Sequence, residues 1–437
     1  MKLDLVISKF NYQLLLCFFL AFIVGCKTTS INQAEANKQL QTLLDDKDYF
    51  KLEARLKLYD HSLTDEKKLY FASFLSNAFN RNDACIREVD SLLKMYPADL
   101  PDSIKSTLSR LQSDSYFKTY QYAKAAQSDS NILKHYSKAL RKEAIDGIGN
   151  DFLMRNALKN VAEQHTIISK TTTIPWSRDK LGLMEIPFKC NAQTFNGVFD
   201  TRANISSITK TYAKKLGLRI LDVSYNEGSG ATGIQFKTGV GIADSLYIGD
   251  VLVKNVVFQV MPDSILYIAP VKFQLNIIIG FPVIEQMKEV DVYKDGKMTI
   301  PQKPEPGDLH NFALNGLDPV IALKMGNDTL TFNFDTGAAS SDFYEAYFER
   351  YRPSVQNIGI KKTLGFGGAG GVQKKEVYIL PTVSLTIGKQ TVNIDSVSVL
   401  TKKIVPGEKF YGNIGQDFTN KFNKIVYNFA YMYVKAE

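Results

Sequence analysis

Two stretches of this chain carry the same pattern in the same order. Val198-Phe199-Asp200-Thr201-Arg202-Ala203-Asn204-Ile205-Ser206-Ser207 is an apolar run that ends in a carboxylate, a hydroxyl and mostly small residues. Phe332-Asn333-Phe334-Asp335-Thr336-Gly337-Ala338-Ala339-Ser340-Ser341 repeats it 135 positions later. Each Asp is followed, 80 residues on, by the glycine of an apolar-Gly element, Ile278-Ile279-Gly280 and Asn413-Ile414-Gly415. Between them lie glycine clusters, 228–233 and 365–371, and then Ile-Gly turns, Ile248-Gly249 and Ile387-Gly388. The chain therefore holds a tandem duplication of about 125 residues per copy, a normal domain size.

An Asp-Thr-Gly-Ala loop, a glycine-rich hairpin and an apolar-Gly element resemble the aspartic protease superfamily, and the short lobes look most like its retropepsin-like branch. The resemblance covers roughly residues 180 to 437. It implies two β-barrel lobes fused in one chain, with Asp200 and Asp335 as the catalytic pair. Such a pair shares one proton, because neighbouring like charges do not both ionise. The family further implies support of the loops by Thr201 and Thr336 and by Gly337, Ala203 and Ala338. Flap hairpins would carry Gly228, Gly230 and Gly233 in lobe one and Gly365, Gly367 and Gly368 in lobe two. A peptide or protein substrate would lie between the lobes.

Lobe one departs from the family at Arg202, where a glycine is expected. Its charge near Asp200 would either lower that acid and stop the sharing of a proton, or point outward and leave the loop intact. The first reading is an aspartic endopeptidase. The alternative is a degenerate two-lobed module that binds peptides or serves as a scaffold without cutting.

The N-terminal part is of another kind. Residues 1–25 have a basic start at Lys2 and Lys9 and an apolar run, Leu14 to Val24, too short to span a bilayer. Ile23-Val24-Gly25-Cys26 resembles the lipobox of bacterial lipoproteins, which implies that residues 1–25 are a signal peptide cleaved before Cys26 and that the Cys26 thiol carries a lipid. The expected location is the cell envelope of a Gram-negative bacterium, on the periplasmic side of the outer membrane. Residues 26–45 read as a tether with the first helix starting inside it.

From 46 to 165 glycine is scarce, and Leu69, Ala72, Leu75 and Phe79 fall at helical spacing. Thr64-Asp65-Glu66-Lys67 reads as a helix start. Leu92-Leu93-Lys94-Met95-Tyr96 matches Ile132-Leu133-Lys134-His135-Tyr136 with a period of 40. Tyr120-Gln121-Tyr122-Ala123-Lys124-Ala125 resembles part of a tetratricopeptide unit, whose usual period is about 34. The expectation is a helical repeat array that offers a surface to a protein partner, or equally a spacer.

The fold class is thus α plus β and multidomain, an N-terminal α-helical repeat array followed by two homologous retropepsin-like β-barrel lobes. A linker at 166–180 precedes lobe one at 181–300. A connector at 301–308 with Pro301, Pro304 and Pro306 precedes lobe two at 309–437. Strands are expected at 182–188, 194–199, 242–248 and 251–260, and helices at 210–216 and 344–351.

Several chemistries lack their residues. His61, His135, His165 and His310 are scattered, with no zinc-type spacing, so no metal and no cofactor is expected. Gly365-Phe366-Gly367-Gly368-Ala369-Gly370 formally matches a dinucleotide fingerprint, but a strand-like run, not a helix, follows it. The net charge of +8 comes without a Lys/Arg block, so nucleic acid is not an expected partner. After loss of Cys17 and lipidation of Cys26, Cys85 and Cys190 remain, read as two buried thiols or one bridge.

Overall fold

The computed structural model describes residues 31–228, 235–368, 370–404 and 407–437. The leader, Cys26, Gly230 and Gly233 lie outside these residues. Seven α-helices run from Gln33 to Leu158 among the described residues, and β structure dominates from His165 onward. The protein is a multidomain α plus β molecule.

The first helix, Gln33–Asp45, lies within the stretch expected as a tether. Ala36, Leu40 and Leu44 recur every four residues, which gives the segment one apolar face, and all three are buried. Asn32 caps it by accepting the Glu35 N–H at 2.9 Å. Thr64 caps Asp65–Ala78 in the same way, through the Lys67 N–H. On that helix Leu75 is buried, as is Phe79 just beyond it, whereas Leu69 and Ala72 are only part buried. Successive helices pack on one another. A buried Arg155–Asp129 ion pair at 2.9 Å, shared with the Ser113 hydroxyl, ties the last three long helices together.

The two β lobes repeat one strand order. In lobe one the sheet runs Val251–Met261, Ser206–Thr209, Ile277–Ile279, Gln193–Phe199, Met184–Cys190. In lobe two it runs Gln390–Leu400, Asp342–Phe343, Gly412–Ile414, Asp328–Phe334, Asp318–Met325. In each lobe the Asp-bearing strand pairs in parallel with the apolar-Gly strand, Phe199 opposite Ile279 and Phe334 opposite Ile414. Each lobe adds a long hairpin, Arg219–Gly228 with Gln235–Ile248 and Ile360–Gly368 with Gly371–Ile387.

A third sheet joins the lobes. Glu289–Tyr293 pairs antiparallel with Lys424–Asn428, Val290 opposite Tyr427. Tyr427 is buried beneath both Asp-bearing strands, with ring centroids 6.4 Å from Phe199 and 5.7 Å from Phe334. Burying an aromatic ring of this kind contributes about 1.5–3 kcal/mol, so the junction is held by its core as well as by its ladder.

The stretch 166–180 is extended as expected, yet it does more than connect. His165–Ile168 pairs with Val251–Lys254 and Thr172–Pro175 with Lys297–Ile300. The proline connector is held too: the Glu305 carbonyl accepts from Asn428 Nδ2 at 2.8 Å and from the Tyr433 hydroxyl at 3.0 Å. The second helix after an Asp loop runs further than expected, Glu345–Ile358, with non-helical backbone at Tyr351 just before Pro353. Cys85 and Cys190 are both buried and free.

The helical region touches both lobes. Tyr120 donates to the Pro282 carbonyl at 3.0 Å and Asn80 to Glu285 at 2.9 Å, both in lobe one. Tyr49 donates to Asn315 at 3.1 Å and His310 to Glu53 at 3.0 Å, on lobe two. Phe117, Tyr122, Met154 and Leu158 share a core with Tyr225 and Val240 of the lobe-one hairpin.

Candidate active site

Asp200 and Asp335 end their strands at the meeting line of the lobes. The Asp200 N–H donates to the Ile279 carbonyl at 3.0 Å and the Asp335 N–H to the Ile414 carbonyl at 2.9 Å. Both loops then cross an apolar-Gly element. A Cβ on Gly280 would lie 2.5 Å from the Ala203 carbonyl oxygen, and one on Gly415 would lie 2.8 Å from that of Ala338. Only a residue without a side chain allows backbones so close. The Ser206 and Ser341 hydroxyls accept the Gly280 and Gly415 N–H groups, both at 3.0 Å.

Thr201 and Thr336 lock the loops to each other. The Thr201 N–H donates to the Thr336 hydroxyl at 2.9 Å, and the Thr336 N–H to the Thr201 hydroxyl at 3.1 Å. Each hydroxyl then donates across the junction, Thr201 to the Phe334 carbonyl at 3.0 Å and Thr336 to the Phe199 carbonyl at 2.7 Å. Both side chains are buried, so the four bonds are formed away from competing water.

The carboxyls are thereby brought together. A Cβ placed on Gly337 would lie 2.3 Å from the Asp200 Cγ. Asp200 Oδ1 accepts the backbone N–H groups of Arg202 at 2.8 Å and Ala203 at 3.1 Å. Asp335 Oδ1 accepts from Gly337 N–H at 2.9 Å. Burial, and then the charge of Asp335, push the Asp200 carboxyl well above the usual carboxylate range; the N–H donors and Arg202 oppose this more weakly. This chain supplies the condition for a shared proton.

Residues 186–283 match the family model for aspartyl proteases. The match holds Asp200 and its loop, the long hairpin and the apolar-Gly element of lobe one. No curated protein matches the chain. Among solved structures, the chain is similar to basic 7S globulin from soybean at 8% identity, covering 61% of this chain and 93% of that one, with a TM-score of 0.38. It is similar to conglutin gamma from lupine seeds at 11% identity, covering 61% and 94%, also with a TM-score of 0.38.

In this aspartyl-protease-like loop Arg202 turns away from Asp200 and crosses to lobe two. Its Nη1 faces Asn413 Oδ1 at 3.3 Å and the Tyr344 hydroxyl at 3.4 Å, and its Nε lies 3.9 Å from Asp318. Asn413 in turn donates from Nδ2 to Asp335 Oδ2 at 3.1 Å. Asp342 stands opposite Asn413 in the ladder, on the same face of the sheet. Its carboxyl is pushed up to about 7, by burial first, with the Asp335 charge adding and Arg202 opposing. Sequence reasoning assigned no role to Asn413, Asp342, Tyr344 or Asp318. Aligning the two copies position by position would have flagged two of them, since Asn413 stands where lobe one has Ile278 and Asp342 where it has Ser207.

The described glycines expected in flaps lie in the two long hairpins. Gly365, Gly367 and Gly368 pair with Lys374, Val372 and Gly371, and Gly228 ends its strand opposite Gln235. The Gly370 N–H donates to the Ile265 carbonyl at 2.8 Å, so the lobe-two hairpin reaches lobe one. Gly371–Ile387 is a strand, which leaves the glycine cluster without the helix N-terminus a phosphate site uses. Behind the loops, Gln416 donates to the Thr336 carbonyl at 2.7 Å and accepts from Arg178 at 2.5 Å, beside a cavity of about 340 Å³. Among the described residues no group of three His, Cys, Asp or Glu side chains is placed to hold a metal, and no helix is long and apolar enough to cross a membrane.

Proposed function

We propose that the chain is an aspartic endopeptidase in which Asp200 and Asp335 activate a water against a peptide carbonyl. The observation that carries this is the reciprocal Thr201–Thr336 lock, which seats one carboxyl per lobe at a common point. The raised Asp200 carboxyl supports it, because one acid and one base are then available together. The hairpin contact from Gly370 to Ile265 supports a substrate covered from above. A peptide-library cleavage assay over a range of pH tests the reading. Cleavage by the full chain that is lost in Asp335→Asn is expected, and equal cleavage by that variant refutes it.

A second reading has its own observation. Arg202 spans the lobes and occupies Asn413, Tyr344 and Asp318, which suits a module that grips a peptide without cutting it. Peptide binding that survives Asp335→Asn, with no product at any pH, would select it.

The proposal includes a lipid on Cys26 that holds the protein in the envelope, with the helical region as a repeat-like surface for a protein partner. Incorporation of labelled fatty acid that is lost in Cys26→Ser is the expected result; unchanged labelling removes the anchor.

A further inference from the structure

The two copies differ at two positions that touch each other. Arg202 stands where lobe two has Gly337, and Asn413 stands where lobe one has Ile278. Each change breaks the symmetry of the carboxyl pair.

The hydrogen bonds show how. Asp335 accepts at both oxygens, from Gly337 N–H and from Asn413 Nδ2. Asp200 accepts two N–H groups at Oδ1 alone, and its Oδ2 receives none among the described residues. A proton on a carboxyl oxygen takes one of its lone pairs and weakens any N–H bond it accepts, so it sits best on an oxygen that accepts none. The oxygen open to a proton is therefore Asp200 Oδ2.

Arg202 decides which way the Asn413 amide faces. A guanidinium has donors and no acceptor. The amide oxygen must turn toward Arg202, which leaves Nδ2 for Asp335. Asp318 and Tyr344 hold the guanidinium from the other side. Ile278, at the matching place in lobe one, has no polar side-chain atom to offer Asp200.

The geometry points to Arg202 and Asn413 as positioning residues that give the carboxyls unequal roles, Asp335 as the base and Asp200 as the proton donor. This rests on the endopeptidase reading for its chemistry. Water would lose a proton to Asp335 as its oxygen bonds to the carbonyl carbon, while Asp200 Oδ2 protonates the carbonyl oxygen. On collapse the C–N bond breaks, the nitrogen takes the proton from Asp335, and Asp200 recovers one from the diol. Both side chains return to their starting state.

Other charged groups face this arrangement. Asp342 faces Asp335 and Arg202, and Lys375 of the flap hairpin and Asp417 face Asp342. Glu408 and Lys47 stand near Asp318. None of these donates a hydrogen bond to either carboxyl of the pair.

The test is a carboxyl titration of the full chain, labelled with carbon-13 at the aspartate side-chain carboxyls, in detergent. Asp200→Asn and Asp335→Asn assign the two signals. In the wild type the Asp200 signal is expected to move at the higher pH of the two. In Arg202→Gly and in Asn413→Ala, Asp335 is expected to take up part of that proton, moving its signal upward by about one pH unit. Arg202→Lys, which keeps the charge but not the fork, should fall between. If both variants titrate like the wild type, the proposal is overturned. If one variant fails to fold, the other decides. Should no peptide be cleaved while the titration moves as expected, the endopeptidase reading fails and the positioning role stands.

Discussion

Thr201 and Thr336 bind each other reciprocally, each backbone N–H resting on the other's hydroxyl at 2.9 and 3.1 Å. The pair makes one rigid object of two loops 135 residues apart in the chain. Thr336→Ala would strip the Thr201 N–H of its acceptor and the Phe199 carbonyl of its donor in a buried place. Leaving such groups unsatisfied costs about 1–3 kcal/mol. In a two-lobed unit of about 250 residues that lowers Tm by about 2–4 °C for each kcal/mol. Thr336→Ser, which keeps the hydroxyl, should lose far less. Thermal unfolding of the two variants side by side decides this, and equal losses would refute it.

Gly337→Ala separates catalysis from folding. The new methyl would meet the Asp200 carboxyl at 2.3 Å, so the acid must swing aside. A displacement of about 1 Å at reacting groups costs on the order of 100-fold in rate. The expected result is that loss in kcat/KM, with a Tm close to the wild type because the neighbour that moves is a side chain, not backbone.

Stability should fall as pH rises toward neutrality. Burial raises Asp200 and takes Asp342 from its ordinary 3.8 to about 7. A carboxyl raised on folding favours the folded state fully below its unfolded value, and the benefit is lost as pH climbs through the folded one. Tm of the wild type is therefore expected to drop between about pH 4 and pH 7. Asp342→Asn, which stays neutral throughout, should flatten the slope. A variant curve parallel to the wild type would show that Asp342 carries no such cost.

Glu53 works in the opposite sense. The hydrogen bond from His310 holds it down to about 2, helped by the charges of His310, Lys57 and Arg81 and opposed by burial. Its contribution is present above 4.5 and lost as pH falls through about 2. Because His310 is about half exposed, the pair is worth on the order of 1 kcal/mol. Glu53→Gln and His310→Ala should each loosen the helical region from lobe two, seen as faster proteolysis near the contact. The double variant should be no worse than either single one; a strictly additive loss would mean the two act apart.

Much of the fold was legible because strands announce themselves through short-range pattern. The duplication, the two Asp loops and the hairpins rest on residues near in sequence, and the observed strands Gln193–Phe199 and Val251–Met261 lie within a residue of expectation. The helix expected to start inside the tether fills most of it, and its extent was hard to read because Ala36, Leu40 and Leu44 form a thin apolar face. The strand roles of 165–175 also escaped notice, since pairing with residues some 85 to 125 positions away leaves no local mark.

By itself the sequence determined that there are two similar β units, each with one carboxylate on a tight loop, behind a helical segment. It does so through glycines, small residues and apolar alternation, whose constraints act over a few bonds. Only the tertiary structure decided where the Arg202 side chain goes. Its long arm could have met Asp200 beside it in the chain, but Asn413, Tyr344 and Asp318 offer it better partners from the other lobe. That choice depends on the packing of one lobe against the other, where distance in space no longer follows distance along the chain.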